Sequence, residues 1–158
     1  MPYTVRKATG EDIPALLDLL LQVNLVHHNA RPDLFRGPTT KYDADGLRRL
    51  LADPLRPVFV CADDDGVVLG HAFCVCKQET DDRILTDVKT LYIDDICVGE
   101  PYRGRHVGTA LFDHVRDFAR ENGFYNITLN VWSLNPGAIA FYERLGFVPQ
   151  KIGMEMTV

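Results

Sequence analysis

One segment constrains the fold of this chain more than any other, the stretch from residue 91 to residue 111. It starts in an apolar strand predicted over residues 88–98 and passes through a loop at residues 99–104 that is rich in arginine and glycine. It ends in an amphipathic helix predicted over residues 106–122. The free N–H groups and the positive dipole end of a helix N-terminus bind phosphate. The segment therefore predicts a strand–loop–helix unit with an anion site, and a helix start beside two solvated arginines is the alternative interpretation.

The remaining apolar periodicity places further elements around this unit, in the overall order β α α β β β α β α β. The strands are predicted at residues 3–6, 58–62, 67–77, 126–132 and 152–158. The helices are predicted from Thr9 to His28, from Asp43 or Asp45 to Leu51, and from Asn135 to Gly146. This order predicts one mixed α/β domain over residues 1–158, with helices on both faces of a single central sheet.

Composition narrows the class of partner. The 158 residues are 46% hydrophobic and 25% charged, which is typical of an ordinary globular domain. Seventeen basic and 22 acidic residues give a net charge of −5, which argues against a nucleic-acid partner and tolerates a cationic substrate. The sequence holds no apolar run long enough to span a membrane, and its first residues lack a secretory pattern. The prediction is a cytoplasmic protein without a membrane partner.

Four cysteines occur without the spacing that a metal site requires. They are Cys61, Cys74, Cys76 and Cys97, and no CxxC pair is found among them. Because no secretory segment precedes them, the expected state is reduced thiols that pack as small apolar side chains. The sequence therefore predicts no metal.

A second motif follows the strand predicted over residues 126–132. Residues 135–147 read NPGAIAFYERLGF, and residues 103–108 read RGRHVG. Together the two segments resemble the GNAT superfamily of acetyl-CoA-dependent N-acetyltransferases, whose motifs are R/Q-x-x-G-x-G/A and N…A…FYERLGF. The order of elements is also similar, so the resemblance covers nearly the whole chain. It implies acetyl-CoA as cosubstrate and a GNAT-like fold, in which a mostly antiparallel sheet is splayed at the cofactor groove.

The resemblance also assigns residues to the cosubstrate, which it implies to lie between the strands 88–98 and 126–132. Backbone groups are implied to bind the pantetheine arm and polarise the thioester carbonyl at Ile96, Cys97 and Val98. Amide N–H groups are implied to hold the pyrophosphate at Arg103, Gly104, Arg105, His106, Val107, Gly108 and Thr109. His106 stands where the family pattern usually has glycine, and we expect it in an ordinary helical conformation.

Two side chains of the second motif complete the implied cosubstrate site. Asn135 is implied to hydrogen-bond near the CoA arm, and Tyr142 is implied to stand by the sulfur and protonate the departing thiolate. Each has a structural alternative, Asn135 as a helix N-cap and Tyr142 as an aromatic residue of the core. For Asn135 the two roles are compatible, because different atoms can serve each.

The acceptor amine needs a base, because an alkyl ammonium with a pKa of about 10 is not nucleophilic at pH 7. Residues 92–98 read YIDDICV and resemble the YLEDFFV stretch of diamine (spermidine/spermine-type) acetyltransferases. This resemblance implies Asp94 as the base, directly or through water, and Asp95 as the anchor of the cationic amine. Strand alternation predicts that these side chains point to opposite sheet faces. A bulge or a solvated strand end is the structural alternative.

The identity of the acceptor is less constrained by the sequence. The family resemblance implies that the loop after the first helix lines the acceptor pocket. Candidate acceptor-side residues are therefore His28, at the end of that helix, and the stretch 29–42, which includes Asp33 and Phe35. The expected reaction is direct acetyl transfer, within a ternary complex, to the primary amine of a small or polyamine-like molecule. The alternatives are a protein lysine or N-terminal amine as acceptor, a non-catalytic CoA-binding module, and an unrelated nucleotide-binding domain. A homodimer is a further hypothesis, in which residues 152–158 add an edge strand.

Overall fold

The computed structural model describes residues 2–158 and contains one five-stranded sheet. The strands are β1 (Thr4–Lys7), β2 (Val58–Ala62), β3 (Val68–Gln78), β4 (Lys89–Val98) and β5 (Asn126–Leu129). The helices are α1 (Ile13–Ala30), α2 (Ala44–Leu51), α3 (Val107–Glu121) and α4 (Pro136–Arg144), with 3-10 turns at Gly10–Asp12 and Glu100–Tyr102. Strands β1 to β4 pair antiparallel in sequence order, and β5 lies parallel to β4. The mixed α/β prediction is confirmed.

Helices cover both faces of this sheet, as the sequence predicted. On one face, α3 packs against β2 and β4 in a core that includes Phe59, Leu91, Leu111 and Val115. On the other face, α1 and α2 pack in a core that includes Leu16, Leu20, Leu47, Val60 and Phe73. Successive residues of β2 enter opposite cores because strand side chains alternate between faces. Strand β2 is thus buried on both sides, which explains why it lacks polar residues.

Glycines end the third and fourth helices where the sequence predicted. Gly123 (φ 73°) and Gly146 (φ 101°) adopt the left-handed conformation just after α3 and α4. Beyond Gly146, the N–H of Phe147 donates to the carbonyl oxygen of Tyr142 at 3.0 Å. This bond closes a Schellman motif, which satisfies a carbonyl that the helix end leaves free. It also fixes the direction of the chain directly after Gly146.

A β-bulge interrupts β4 at the acidic pair. Phe73 of β3 lies opposite Asp95, and Cys74 lies opposite Ile93, so Asp94 is an extra residue with no counterpart on β3. A bulge breaks the strict alternation of side chains between the two faces. Both carboxylates consequently line one cleft, on the α1 side of the sheet. The prediction that they point to opposite faces is wrong, and the bulge that was its structural alternative is present.

The predicted strand at residues 152–158 is not formed. Residues 148–158 pair with none of the five strands and are exposed throughout. Their apolar alternation is a strand pattern, but none of the residues 2–158 covers either face of the segment. Strand β5 is also shorter than predicted and ends at Leu129, where its pairing with β4 stops.

The four thiols are free, as predicted, and Cys61, Cys74 and Cys97 are buried. Burial raises the pKa of Cys74 and of Cys97 to about 12, so these thiols stay protonated and inert. Across residues 2–158, no three His, Cys, Asp or Glu side chains group in a way that could hold a metal ion. Within the same range, none of the helices combines the length and the apolar character needed to cross a membrane.

Candidate functional site

A groove opens between β4 and β5 because these strands pair only over a short stretch. The parallel ladder joins residues 90–93 to residues 126–129, while β4 continues to Val98. The backbone of Ile96, Cys97 and Val98 therefore lies beyond the last residue that pairs with β5. Strand N–H and C=O groups at such a gap are available to an extended ligand. This is the geometry that the predicted pantetheine contacts require.

The loop between β4 and α3 presents free backbone amides beside this groove. Gly104 (φ 76°) and His106 (φ 62°) both adopt the left-handed conformation. The first hydrogen bond within the helix runs from the N–H of Ala110 to the carbonyl oxygen of His106, at 3.0 Å. Three amides consequently lack an intrahelical acceptor, those of Val107, Gly108 and Thr109. No described side chain caps this helix end. Alternating backbone conformation and a helix N-terminus together form an anion-binding concavity.

Close packing holds this helix end against the end of β4 and against α4. A Cβ atom added to Gly108 would lie 3.1 Å from the ring of Phe141 and 3.7 Å from the side chain of Val98. A side chain at this position would require the ring of Phe141 to shift, so glycine favours the close approach of the three elements. Of the two arginines in the motif, Arg103 donates its Nε–H to the carbonyl oxygen of Val98 at 3.2 Å, and Arg105 is exposed.

The conformation of His106 corrects the sequence-based expectation. We expected an ordinary helical residue, but His106 is the N-cap of α3 and lies in the left-handed region. This left-handed residue directly precedes Val107, the first residue of α3. A residue other than glycine costs about 1–2 kcal/mol in this region, although histidine is among the residue types enriched there. The glycine of the family motif thus corresponds to a real backbone requirement that a histidine meets here.

Asn135 and Tyr142 are positioned by α4. The side-chain oxygen of Asn135 accepts a hydrogen bond from the N–H of Ala138 at 3.1 Å, so the N-cap role is present. Tyr142 packs its ring between Phe141 and Phe147, with ring centroids 5.2 and 5.7 Å apart. Burial raises the pKa of Tyr142 to about 12, and the negative charge of Asp95 adds to the effect. The phenol therefore carries its proton at neutral pH.

A cleft of about 370 Å³ lies on the other side of β4, between α1, the bulge and the loop that follows α1. Its aromatic wall is formed by Phe35, Tyr42, Phe73 and Trp132. Its charged groups are Arg36, Lys41, Asp94 and Asp95. An apolar wall with a few convergent charges is the usual form of a small-molecule site. We call this space the acceptor cleft.

One carboxylate of the acidic pair already holds an ammonium group. The Nζ of Lys41 lies 2.7 Å from the Oδ2 of Asp94, whose side chain is 21% exposed. Burial by itself lowers the pKa of Lys41, but the hydrogen bond and the charge of Asp94 outweigh it, so the pKa is raised. Lys41 is therefore a cation at neutral pH and occupies a position that suits an incoming amine.

The other carboxylate, that of Asp95, contacts a histidine that is buried in the sheet. The Nε2 of His71 lies 2.7 Å from the Oδ2 of Asp95, and the imidazole of His71 has no exposed surface. The Nδ1 of His71 has no hydrogen-bond partner in the described part of the chain. Asp95 is thereby fixed in orientation, with its second oxygen free for a ligand in the acceptor cleft.

The acceptor-side residues named from the sequence occupy different places. Phe35 lines the acceptor cleft, with its ring 5.0 Å from that of His27 and 5.4 Å from that of Trp132. The Nδ1 of His28 lies 2.7 Å from the carbonyl oxygen of Phe35, so His28 supports the loop from behind. Asp33 is outside the cleft and pairs with Arg31 at 2.8 Å.

Sequence reasoning included Lys41 only as part of the candidate loop 29–42, and it gave no acceptor-side role to His71, which lies behind Asp95, or to His27, which lines the cleft. No local pattern could have identified the ion pair of Lys41, because its partner Asp94 is 53 residues away. His71 offered a weak signal, since it is a polar residue within an otherwise apolar strand. His27 stands next to His28 and shares its helix end, but it faces the cleft where His28 does not.

Comparison with known proteins agrees with this geometry. The model of the acetyltransferase (GNAT) family matches residues 23–147, which include both motifs, the groove and most of the acceptor cleft. The chain belongs to this family. Membership implies acetyl-CoA as the cosubstrate, and the groove and free amides described above fit that molecule.

Several relatives are named as acetyltransferases. The uncharacterized N-acetyltransferase MJ1207 of Methanocaldococcus jannaschii is 26% identical over 152 residues, which cover 95% of this chain and 62% of that protein. Streptothricin acetyltransferase of Streptomyces lavendulae is 44% identical over 89 residues, 56% of this chain and 43% of that protein. N-alpha-acetyltransferase 50 of Danio rerio is 40% identical over 60 residues, 37% of this chain and 36% of that protein. The chain thus spans less than two thirds of the length of each of these relatives.

A crystal structure of a mutant BH1408 protein from Bacillus halodurans superimposes with a TM-score of 0.94 at 27% identity. The match covers 98% of this chain and 99% of that one. An aminoglycoside acetyltransferase from a soil metagenomic sample matches with a TM-score of 0.74 at 19% identity, and covers 100% of this chain and 99% of that one. The second likeness shows a shared fold alone.

Proposed function

We propose that this chain transfers the acetyl group of acetyl-CoA directly to the primary amine of a small cationic molecule, within a ternary complex. The observation that carries the proposal is the position of the acidic pair on β4. Asp94 and Asp95 line the acceptor cleft and directly precede residues 96–98, whose backbone lies beyond the last pair with β5 and borders the groove. The charge of Asp95 also adds to the raised pKa of Tyr142, in keeping with one reaction centre where the cleft meets the groove.

Each proposed catalytic residue has one proton to move. Asp94 takes the proton of the acceptor ammonium, directly or through water, and the neutral amine attacks the thioester carbonyl. Backbone N–H groups near Ile96 and Val98 stabilise the oxygen that becomes negative, an effect of a few kcal/mol for each well-placed donor. The new C–N bond forms as the C–S bond breaks, and Tyr142 gives its proton to the departing thiolate. The nitrogen then loses its remaining extra proton, which passes through water to the phenolate of Tyr142, and Asp94 releases its proton to solvent.

The proposed pyrophosphate contacts are the free amides at the start of α3. They lie on one helix end together with the left-handed residues Gly104 and His106, which direct successive N–H groups to one side. Arg105 is exposed and adds a positive charge that can move toward a phosphate. In this proposal Asn135 keeps its N-cap bond to Ala138 and uses its amide N–H group toward the cosubstrate.

The size and charge of the acceptor cleft favour a small cationic acceptor. A volume of about 370 Å³ is within the range of pockets for small ligands, about 300–1,000 Å³. The ammonium of Lys41 occupies the position on Asp94 that the acceptor amine is proposed to take, and the acceptor amine displaces Lys41 from it. The free oxygen of Asp95 then binds a second positive or donor group of the same molecule. A diamine satisfies both carboxylates, which agrees with the polyamine-like prediction.

A second candidate acceptor is the N-terminal amine of a polypeptide. The name of the Danio rerio relative favours it, through a match of 60 residues. The loop that carries Phe35 and Lys41 weighs against it, because it lies along the cleft that an extended polypeptide would have to enter. The name of the Streptomyces relative, which refers to streptothricin, favours a small acceptor instead.

Calorimetric titration of the purified protein with acetyl-CoA, ATP and NAD tests the first part of the proposal. We expect acetyl-CoA to bind with a dissociation constant at least about tenfold below those of the two nucleotides. Binding no tighter than that of ATP would contradict the proposed pyrophosphate contacts.

A panel of acceptors, followed by thiol release, tests the second part. The panel holds aliphatic diamines, monoamines of equal length, and peptides with free N-termini. Diamines are expected to give the highest kcat/KM. Acetyl-CoA binding without turnover on any acceptor would instead indicate a CoA-binding module, and peptides as the best substrates would establish the second candidate.

A further inference from the structure

A lysine of the chain itself lies where the proposed reaction needs an amine. The Nζ of Lys41 is 2.7 Å from the Oδ2 of Asp94, the proposed base, and Lys41 lines the acceptor cleft together with both carboxylates. The side-chain nitrogen of lysine is a primary alkyl amine, the same group that the proposed small acceptor carries. The structure thus places an acceptor group of the correct type on the residue that would deprotonate it.

The backbone around Lys41 is anchored, so this placement does not depend on the ion pair alone. Directly after it, the ring of Tyr42 stacks on that of Phe73, with centroids 6.2 Å apart, and Asp43 caps α2. Directly before it, the hydroxyl of Thr40 donates to the carbonyl oxygen of Tyr42 at 2.7 Å. The flexible four-carbon stem of lysine can therefore move Nζ from Asp94 toward the groove while the backbone stays in place.

The other four lysines of the chain lack this arrangement. The ammonium groups of Lys77 and Lys89 lie over aromatic rings, 4.0 and 4.4 Å from the ring centroids, and Lys7 and Lys151 are exposed. Within residues 2–158, Lys41 is the only lysine that pairs with a carboxylate. A base that acts on a lysine of this chain would therefore act on Lys41.

We propose that the protein acetylates its own Lys41, by transfer of the acetyl group of acetyl-CoA within one copy of the chain. This proposal rests on the proposed function, because it uses the same cosubstrate and the same catalytic residues. Asp94 takes a proton from the ammonium of Lys41, and the neutral Nζ attacks the thioester carbonyl. The C–N bond forms as the C–S bond breaks, and Tyr142 protonates the departing thiolate. The remaining extra proton on the nitrogen passes through water to the phenolate of Tyr142, and Asp94 releases its proton to solvent.

The reaction takes place once per chain and changes the charge of the acceptor cleft. An acetylated lysine carries no positive charge, so Lys41 no longer forms an ion pair with Asp94. That carboxylate is then free for the ammonium of an external acceptor. A lysine that only blocks the cleft is the competing interpretation of the same contact, and it predicts no covalent change when acetyl-CoA is added.

Mass spectrometry of the full chain, mapped to peptides before and after incubation with acetyl-CoA alone, tests the proposal. We expect acetylation to be at least about tenfold faster on Lys41 than on Lys7 or Lys151, because only Lys41 is held beside the base. Asp94→Asn should slow the reaction at Lys41 by about 10²-fold or more, and the exposed hairpin control Asp64→Asn should match the parent. An acetyl group already on Lys41 in the purified parent supports the proposal where Asp94→Asn lacks it. A Lys41 that stays unmodified in the parent overturns it.

Chemical acetylation with acetic anhydride, in the absence of acetyl-CoA, measures the intrinsic reactivity of the same lysines. The ion pair with Asp94 favours the unreactive ammonium form of Lys41, whereas Lys151 is exposed. We therefore expect Lys41 to react more slowly than Lys151 with the anhydride and faster with acetyl-CoA. The same order of reactivity with both reagents would contradict the proposal, because intrinsic reactivity would then explain the modification.

A mixture of two variants tests whether the transfer occurs within one copy. Tyr142→Phe keeps Lys41 but lacks the proposed acid, and Lys41→Arg keeps the proposed acid and base but lacks the lysine. In the mixture, acetylation of Lys41 should remain about 10²-fold slower than in the parent. Acetylation at the rate of the parent would show transfer between copies and overturn the proposal.

Thiol release by the parent with an external diamine, measured in parallel, separates this proposal from the proposed function. Repeated turnover on the diamine with an unmodified Lys41 would contradict self-acetylation alone. The absence of both reactions would contradict the proposed function as well.

Discussion

The cosubstrate side and the acceptor side of the site differ in how far apart along the chain their contacting residues lie. On the cosubstrate side, the bonds that shape the site span three or four residues, from Ala138 to Asn135 and from Ala110 to His106. On the acceptor side, Lys41 reaches Asp94 across 53 residues. The helix ends of the first side are therefore local motifs, whereas its groove between β4 and β5, like the whole of the second side, exists only once the sheet is assembled.

We expect the two sides to affect different kinetic parameters, and substitutions can test this expectation. Changes on the cosubstrate side should affect the chemical step or the affinity for acetyl-CoA and leave the acceptor unaffected. Changes on the acceptor side should affect the acceptor, because neither Lys41 nor the loop that carries it contacts the free amides of α3. The acidic pair is the place where the two sides meet, so its substitution should affect both.

The largest effect is expected for Tyr142→Phe, which removes the proposed acid. Loss of general acid catalysis lowers kcat by about 10²–10⁴-fold. The dissociation constant for acetyl-CoA should stay the same, because the ring and its packing against Phe147 remain. The pKa of about 12 means that the phenol keeps its proton as pH rises through the physiological range. In the parent, an alkaline fall in kcat below about pH 10 must therefore come from another group.

A matched control is Tyr125→Phe, since that tyrosine is 74% exposed and lies outside the site. It should leave kcat and both substrate affinities unchanged. The outcome that would remove Tyr142 from the mechanism is a Tyr142→Phe protein with kcat within about threefold of the parent, well below the usual effect of a general acid.

Next in size are the effects of Asp94→Asn and Asp95→Asn, measured side by side at saturating acetyl-CoA. Asp94→Asn removes the proposed base and should lower kcat by about 10²-fold or more. Asp95→Asn leaves the base in place and should mainly raise KM for the acceptor, because an amide anchors a cation poorly. It should also bring the pKa of Tyr142 down, since one cause of the elevation is lost.

The exposed hairpin residue Asp64 provides the control, and Asp64→Asn should behave as the parent does. If the two variants exchange their effects, so that Asp95→Asn lowers kcat and Asp94→Asn raises KM, then Asp95 with its partner His71 is the base. That result would reverse the roles that the family resemblance implies.

The residues on the two sides of the site also differ in how well the sequence predicts them. Asn135, Gly146 and the segment around them were identified correctly, because a cap and a helix stop depend on neighbours three to five residues away. The sequence located the acidic pair, but the predicted orientation of its two side chains was wrong. The bulge that turns both carboxylates to one side depends on the register between β3 and β4, which residues on two strands decide together.

The C-terminal residues show the opposite limit. The alternating pattern of residues 152–158 predicts a strand, yet residues 148–158 pair with none of the described strands. An alternating apolar pattern indicates that one face of a segment is buried, but it does not identify the surface that covers this face. His106 is a similar case, because the residue type alone did not reveal that the turn before α3 demands a left-handed conformation.

A smaller effect is expected when the acceptor side loses its internal cation. Lys41→Gln removes the ammonium that an incoming amine must displace from Asp94, and KM for a cationic acceptor should fall. Because the side chain of Lys41 is 58% exposed, the ion pair contributes at most about 1 kcal/mol, or about fivefold in KM. Lys41→Arg keeps the cation and should leave KM near the parent value. A higher KM in Lys41→Gln would show that Lys41 helps to bind the acceptor.

The smallest effect separates the backbone of the cosubstrate side from its side chains. His106→Gly relieves a left-handed residue, and His106→Ala keeps that strain but removes the imidazole. If only backbone amides bind the pyrophosphate, His106→Gly should raise stability by about 1 kcal/mol or less, or about 2–4 °C in Tm, since part of the relief is offset by the greater freedom of unfolded glycine. Both variants should then bind acetyl-CoA within about twofold of the parent. A loss of affinity shared by both variants would instead show that the imidazole itself contacts the cosubstrate. The histidine would then be a specific replacement for the glycine of the family motif and more than a tolerated one.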